Sequence, residues 1–370
     1  MKIFHPLLCY YPSQAGGPAN TLYWLNAALV KKNYTTTILS TYFGLKRSDK
    51  LKKQPFYEKG HKVIFLDSKA NFLIEGIKIL KDSNIIQFSS IFFPPTLPLL
   101  IMALGSNKKV IISPRGELYP AALSIKPFQK RIWLRIMKSL QHKIFFHATN
   151  EYEKKIIGKQ FPKAEGLEVI PNYMELPQKL NIEVNTNQLL FIGRINPIKN
   201  IDVLINSIAL IKKQNLNIKL VIAGEPSLDY EKDYFMRLKE LIIKLDLQAN
   251  VTFTGHVDKE KKQEYIASSF TLILPSKSEN FGNVVIEALA QGTPVIASRN
   301  TPWEILENTE SGYWVEPEPE NLAAAVMRMH SLTTKDYTLM RERAYNLCLE
   351  KFDISTNIHH WESFYKNIIN

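Results

Sequence analysis

Short apolar runs of four to seven residues, rich in Ile, Val, Phe and Leu, alternate with longer stretches of helical periodicity from one end of the chain to the other. In the first half the runs predict strands at Lys2–Leu8, Thr35–Thr41, Lys62–Asp67, Ile85–Ser89, Lys109–Ser113, Lys143–Ala148 and Leu167–Pro171. In the second half they predict strands at Gln188–Gly193, Ile218–Ala223, Val251–Gly255, Thr271–Pro275, Thr293–Ser298 and Gly312–Val315. Strands that are apolar on both faces and separated by amphipathic helices belong to parallel sheets covered on both sides. The pattern therefore predicts an α/β fold of the doubly wound kind, occurring twice. Between the two series the chain runs NYMELPQKLNIEVNTN over Asn172–Asn187, polar and irregular, which reads as a linker. In such folds ligands bind outside the carboxyl ends of the strands. The last segment, Phe352–Asn370, spaces Trp361, Phe364, Tyr365 and Ile368 as one face of an amphipathic helix, which either caps the second domain or crosses back onto the first.

Composition agrees with two folded domains. A chain of 370 residues is too long for one ordinary core. Its 45% hydrophobic and 22% charged content excludes disorder, collagen and coiled coil. Cys9 and Cys348 are the only cysteines, so no disulfide framework or cysteine metal site is expected. The opening MKIFHPLLCYYP lacks the apolar run of a signal peptide, and no stretch reaches the ~18 apolar residues of a membrane span. A cytoplasmic address is expected, with attachment to the inner face of the membrane left open. Charge changes the picture more. The formal net charge is +12, but residues 1–180 hold 27 Lys and Arg against 11 Asp and Glu, a net of +16, and the remainder nets −4. A basic half suits nucleic acid, anionic lipid or phosphorylated ligands, or is simply a Lys-rich soluble surface.

The segment Ser276–Ser298, SKSENFGNVVIEALAQGTPVIAS, carries the strongest candidate chemistry. A strand ends at Leu274-Pro275, a polar loop holds Glu279, and a helix begins near Asn283 with Glu287 inside it. Gly282 and Asn283 place backbone N–H groups and the positive end of a helix where phosphate is attracted. Glu287 is suited to a pair of ribose hydroxyls and Glu279 to hydroxyls of a second sugar; the plain alternative is a strand-turn-helix with a surface Glu and an Asn cap. The segment GRINPIKN, Gly193–Asn200, also leaves a strand directly. Arg194 and Lys199 there form a candidate diphosphate clamp, and Asn200 is expected to cap a helix over Ile201–Lys213.

Three further segments exit strands in the first half. Gly16-Gly17-Pro18 precedes a helix over Ala19–Val30 and would let backbone approach a ligand, but it is not a G-x-G-x-x-G fingerprint. SPRGEL, Ser113–Leu118, brings Arg115 and Gly116 out of a strand. After it, Lys126, Lys130, Arg131, Arg135 and Lys138 alternate with Phe128, Ile132, Trp133, Ile136 and Met137. That is a cationic amphipathic helix, suited to an anionic membrane or else seated with its apolar side in the core. His147, in HATN followed by Glu151, either orients a substrate group or is a hydrogen-bonded core histidine; His5 and His256 carry the same ambiguity. There is no D-x-D pair for a catalytic divalent metal, no Walker loop, no H-E-x-x-H and no G-x-S-x-G.

Taken together the GG loop, SPRGE, HATN-E, GRINPIKN, VIAGE, VTFTGHV, ILPS and the E-x7-E string resemble the retaining glycosyltransferases of family 4, which have the GT-B fold of two facing Rossmann-like domains. The resemblance implies an acceptor-binding domain over 1–175 plus 352–370, with the terminal helix returning to it, and a nucleotide-sugar domain over 176–351. It implies that Arg194 and Lys199 hold the donor diphosphate, that Glu287 binds the ribose and Glu279 the transferred sugar. The amides of Asn280, Phe281, Gly282 and Asn283 would take the distal phosphate and sugar, with Gly16 and Gly17 approaching from across the cleft. Many members carry a His where this chain has Ser113-Pro114-Arg115, so the acceptor-side role falls to Arg115 or His147. The implied reaction moves a hexosyl unit from a nucleotide sugar to a lipid-linked or oligosaccharide acceptor in bacterial-type surface polysaccharide or lipopolysaccharide assembly, without a metal or other cofactor and without nucleic acid as partner. Cations fixed at the departing diphosphate favour the transition state over the ground state. Front-face attack by the acceptor fits retention, and Glu279 as nucleophile stays open. The alternatives are a nucleotide-sugar epimerase on the same fold and a basic membrane or nucleic-acid module.

Overall fold

The structure, a computed structural model, describes residues 1–13, 17–45 and 55–370. Every predicted strand is present within three residues of its expected ends. They are β1 (Lys2–Leu7), β2 (Thr35–Ser40), β4 (His61–Phe65), β5 (Ile85–Phe88), β6 (Lys109–Ile112), β7 (Phe145–Ala148), β8 (Gly166–Val169), β9 (Asn185–Ile192), β10 (Lys219–Ala223), β11 (Val251–Gly255), β12 (Ser269–Leu274), β13 (Val295–Ser298) and β14 (Gly312–Val315). One strand was not expected: β3 (Phe56–Glu58), three residues long and antiparallel to β4 at the sheet edge. It is too short to show a period, and its pairing depends on the turn at Lys59-Gly60, where Gly60 has φ +86°.

The chain divides into two compact units, Met1–Glu175 with Asp353–Asn370, and Leu176–Phe352. The first is built on a sheet of order β3-β4-β2-β1-β5-β6-β7-β8, parallel throughout except at β3. Alternate residues of each strand enter two separate cores. Ile3, Ile38, Val63, Ile85 and Ile111 face one, while Phe4, Leu39, Ile64, Ile86 and Ile112 face the other. The terminal helix Ile354–Ile369, capped by Asp353 accepting from Ser355 N, belongs to the first of these cores. Ile358, Trp361, Phe364, Tyr365 and Ile368 are buried there, each such side chain contributing about 1.5–3 kcal/mol. Tyr365 hydroxyl donates to Gln87 Oε1 at 2.6 Å, and Ile354 N donates to Met174 O at 3.0 Å, fastening both ends of the helix to this unit. Phe352, expected with the first unit, belongs to the second, where its ring lies 5.3 Å from Trp303 and 6.1 Å from Phe281.

The second unit has a six-stranded sheet of order β11-β10-β9-β12-β13-β14, parallel at every pairing. From β9 the chain winds outward through β10 and β11, then returns beside β9 at β12 and winds the other way. The reversal between β9 and β12 is a topological switch point, where the two following loops diverge and leave room at the strand ends. β9 begins at Asn185, inside the stretch expected to be linker. Among the described residues no helix is long and apolar enough to cross a membrane.

Candidate functional site

The loops after β9 and β12 meet at this switch point. Lys277 N donates to Ile198 O at 2.8 Å, tying the two loops by their backbones. Above that tie Lys199 Nζ donates to Glu279 Oε2 at 2.5 Å, and Ser276 hydroxyl reaches the same oxygen at 3.3 Å. Both charged side chains are about four-fifths covered, at 19% and 18% exposure. Ser276 is fully buried and is itself held in place, since Ser298 hydroxyl donates to its carbonyl at 2.6 Å. Asn196 sets the direction of Lys199 by accepting from Ile198 N at 3.0 Å, which starts the short 3-10 turn Pro197–Lys199.

Asn200 stands at the head of the helix Ile201–Lys212 but does not cap it. Its backbone is left-handed at φ 58°, and its amide turns to Pro317 O at 3.5 Å. The left-handed residue lets the chain reverse from the 3-10 turn into the helix, a demand that overrides capping. Arg194 is not an isolated cation: its Nε lies 3.4 Å from Glu231 Oε1, a carboxylate with no exposed surface that also accepts from Ser227 N and Leu228 N. Glu231 thus orients Arg194 while holding the two amides that lead into the helix Asp229–Lys244.

The loop after β12 ends at Gly282, left-handed at φ +88°, and the helix Asn283–Ala290 follows with no side-chain cap on its first turn. Asn283, also readable as a cap, is instead the first helical residue. A Cβ at Gly282 would lie 3.0 Å from Leu274 Cδ2 and 3.3 Å from Trp303 Nε1, so the loop is closely packed from beneath. Trp303 Nε1 donates to Phe281 O at 2.5 Å, and its ring meets that of Phe281. Asn280, Phe281 and Gly282 are thereby fixed on the strand side. One turn into the helix, Glu287 Oε1 accepts from Lys262 Nζ at 2.7 Å, with exposures of 14% and 25%.

Sequence reasoning did not single out Lys262, Glu231, Ser276 or Trp303. Lys262 sits in the run KEKKQEY with nothing to distinguish it from Lys259 and Lys261, and only the tertiary placement of Glu287 does so. The site gains chemistry from these partners. Each cation is matched to a carboxylate, Arg194 with Glu231, Lys199 with Glu279 and Lys262 with Glu287, so both side chains of each pair are held in place.

In the first unit, Gly16 lies outside the described residues, and Gly17 is the first residue of the helix Gly17–Lys31. His147 requires correction as an acceptor-side residue. It is buried, its Nε2 donates to Ile170 O at 2.8 Å, its Nδ1 bonds Ser113 hydroxyl at 2.9 Å, and its ring lies 4.5 Å from Trp361. Neither ring nitrogen remains for a ligand. Burial, with Arg115 nearby, lowers its pKa to about 3 and keeps it neutral. Arg115 has a left-handed backbone at φ 51° and donates from Nη1 to Asn172 Oδ1 at 3.1 Å, while its Nε and Nη2 are buried without a hydrogen-bond partner. Two glutamates frame it. Glu153 accepts from Gly116 N, Thr149 N and Thr149 hydroxyl, and Glu117 accepts from Ser90 hydroxyl and from Ile91 N and Phe92 N. These carboxylates lock the loops after β5, β6 and β7 together. The structural acid of HATN-E is therefore Glu153, and Glu151 pairs with Lys154 on the surface.

Comparison with known proteins bears on the family and the fold. Residues 172–347 match the family described as "Glycosyl transferases group 1". Over 205 residues the chain is 31% identical to the alpha-monoglucosyldiacylglycerol synthase of Streptococcus pneumoniae; the match covers 54% of this chain but only 45% of the synthase. A 41.2 kDa protein encoded in the cps region of Klebsiella pneumoniae is 24% identical over 85% of this chain and 87% of its own length. Among solved structures, Anabaena HepE in complex with UDP and glucose superposes with a TM-score of 0.80 at 18% identity, covering 99% of this chain and all of the other. Residues 172–347 are thus a glycosyl transferases group 1 domain, carried on a chain with the two-sheet GT-B fold.

Proposed function

We propose that the chain is a glycosyltransferase that moves a hexosyl unit, with retention, from a nucleotide sugar to a lipid-linked or oligosaccharide acceptor, at the inner face of the cytoplasmic membrane in surface polysaccharide or lipopolysaccharide assembly. The observation that carries the reading is the Lys199–Glu279 pair at the switch point of the second sheet. A sugar diphosphate placed there offers Lys199 a stronger anion than Glu279, and the carboxylate so released is free to accept hydroxyls of the transferred sugar. Arg194, steadied by Glu231, forks onto the same diphosphate. The amides from Asn280 to Asn283 hold the distal phosphate, and Glu287 accepts from the ribose diol.

As the sugar–phosphate bond lengthens, negative charge gathers on the leaving diphosphate, where Lys199, Arg194 and the helix end at Asn283 face it. The acceptor hydroxyl attacks from the same side, and a departing phosphate oxygen takes its proton. In this reading no divalent metal is required, so a chelator leaves the rate unchanged. Further support comes from names alone: HepE was solved with UDP and glucose, the pneumococcal relative is a glucosyl-lipid synthase, and the Klebsiella relative lies in a cps region. On the acceptor side, Arg115 keeps two buried donors, Nε and Nη2, without a partner, which supports it over His147.

The test is transfer from a panel of nucleotide sugars by Lys199→Ala and Glu287→Ala. Turnover should fall by ~10²–10³ for Lys199→Ala while thermal unfolding stays cooperative. Full activity in both variants refutes the assignment. Donor incubated without acceptor should be recovered with its sugar unaltered; inversion at a sugar carbon would mean an epimerase.

A further inference from the structure

The helix Pro127–Leu140 of the first unit has two apolar faces, and only one is in the core. Leu134 and Met137 are buried, with Trp133 packed beside them. Phe128, Ile132 and Ile136 lie on the opposite side at 73%, 50% and 37% exposure, and Ile125 just before the helix is 63% exposed. At 3.6 residues per turn, positions 128, 132 and 136 advance by only about 40° each, so they form one continuous stripe directed away from the sheet. Arg131, Arg135 and Lys138 run along one shoulder of that stripe, all exposed. They line a groove of about 630 Å³, floored by Leu123 and Leu134. From Leu118 to Asn150 the chain contains six Lys and Arg and no Asp or Glu at all. The sequence left open an apolar side seated in the core; the structure instead spends Leu134 and Met137 on the core and leaves the larger stripe in water.

We infer that this face seats the protein on an anionic lipid surface: Ile125, Phe128, Ile132 and Ile136 enter the boundary between headgroups and acyl chains, and the Arg131–Arg135–Lys138 groove takes a lipid phosphate. Bare cations without an apolar stripe would suit polyphosphate of any kind, and a bare stripe without cations would suit a second protein. The two side by side, on a helix lying flat against its own unit, match a bilayer interface, where apolar burial and attraction to anionic headgroups add. The inference rests on the proposed reaction only for the location of the acceptor, and the binding measurement itself needs neither donor nor acceptor.

The experiment is sedimentation of the whole chain with vesicles of phosphatidylcholine alone and with phosphatidylglycerol added, at low and high salt. Binding is expected only to the anionic vesicles. It should fall about fivefold for each of Arg131→Gln and Arg135→Gln and about tenfold for Phe128→Ser with Ile132→Ser. All of these positions are exposed, so unfolding temperature and protection by nucleotide sugar should be unchanged, which separates failure here from failure of the transferase reading. Absence of binding to anionic vesicles overturns the inference. So does binding indifferent to Phe128→Ser with Ile132→Ser, equal competition by inorganic phosphate or an oligonucleotide, or a dimer in solution that the same substitutions dissolve.

Discussion

The two units manage charge in opposite ways. In the second, carboxylates that are nearly or wholly buried each hold a cation: Glu231 with Arg194, Glu279 with Lys199, Glu287 with Lys262. In the first, the ion pairs among the described residues, such as Lys59–Glu175 and Lys109–Glu165, are exposed, and the buried ionisable groups include neutral imidazoles. His5 is fully buried with both ring nitrogens unpartnered, and His147 is buried with both committed. Paired charges at a site can be traded for those of a ligand, whereas buried neutral histidines can only be preserved or protonated. One unit pairs its buried acids with side-chain cations; the other holds its buried acids, Glu153 and Glu117, chiefly on backbone N–H and hydroxyl groups, beside neutral histidines.

Acid should separate the two most strongly. Burial lowers the pKa of both His5 and His147 to about 3 from an ordinary 6.5. Between those values the unfolded chain binds protons that the folded chain refuses, so the stability these residues provide is complete above pH 6.5 and lost as pH falls towards 3. At pH 5 the loss is about 2 kcal/mol for each. Hydrogen exchange followed peptide by peptide should show β1 and β7 losing protection before β9 and β12, and simultaneous loss would break the contrast. Next in size is Gly224→Ala. At φ +142° an added Cβ would stand 2.0 Å from Gly193 O, so β9 and β10 must part. About 3 kcal/mol of destabilisation is expected, confined to exchange in the second unit. The smallest effect sharpens the comparison at the site. Lys262→Met should leave Glu287 unpaired and raise the donor KM about fivefold, as expected for a largely covered pair contributing about 1 kcal/mol. An unchanged KM would mean that the pair plays no part in holding donor.

Much of this was legible because it is local. Strands apolar on both faces announce themselves, and so do the polar loops bearing Glu279 and Lys199. What was hidden depends on partners distant in sequence. Lys262 meets Glu287 across 25 residues, and Glu117 and Glu153 join loops from three different strands. The side chain of Asn200 followed its backbone rather than its capping propensity, because a left-handed turn was needed there. Nor could the periodicity of Pro127–Leu140 say which apolar face goes inward, since both have helical spacing; volume in the core admitted Leu134 and Met137 and left Phe128 outside.

The return of the final helix to the first unit has a consequence for biogenesis. Ile354, Ile358, Trp361, Phe364, Tyr365 and Ile368 complete a core whose other members lie before residue 175. As the chain leaves the ribosome, the second sheet has all its residues once Phe352 has emerged, while the first waits, with part of one core unfilled, for Ile354–Ile369 to follow. The unit that is translated first is finished last.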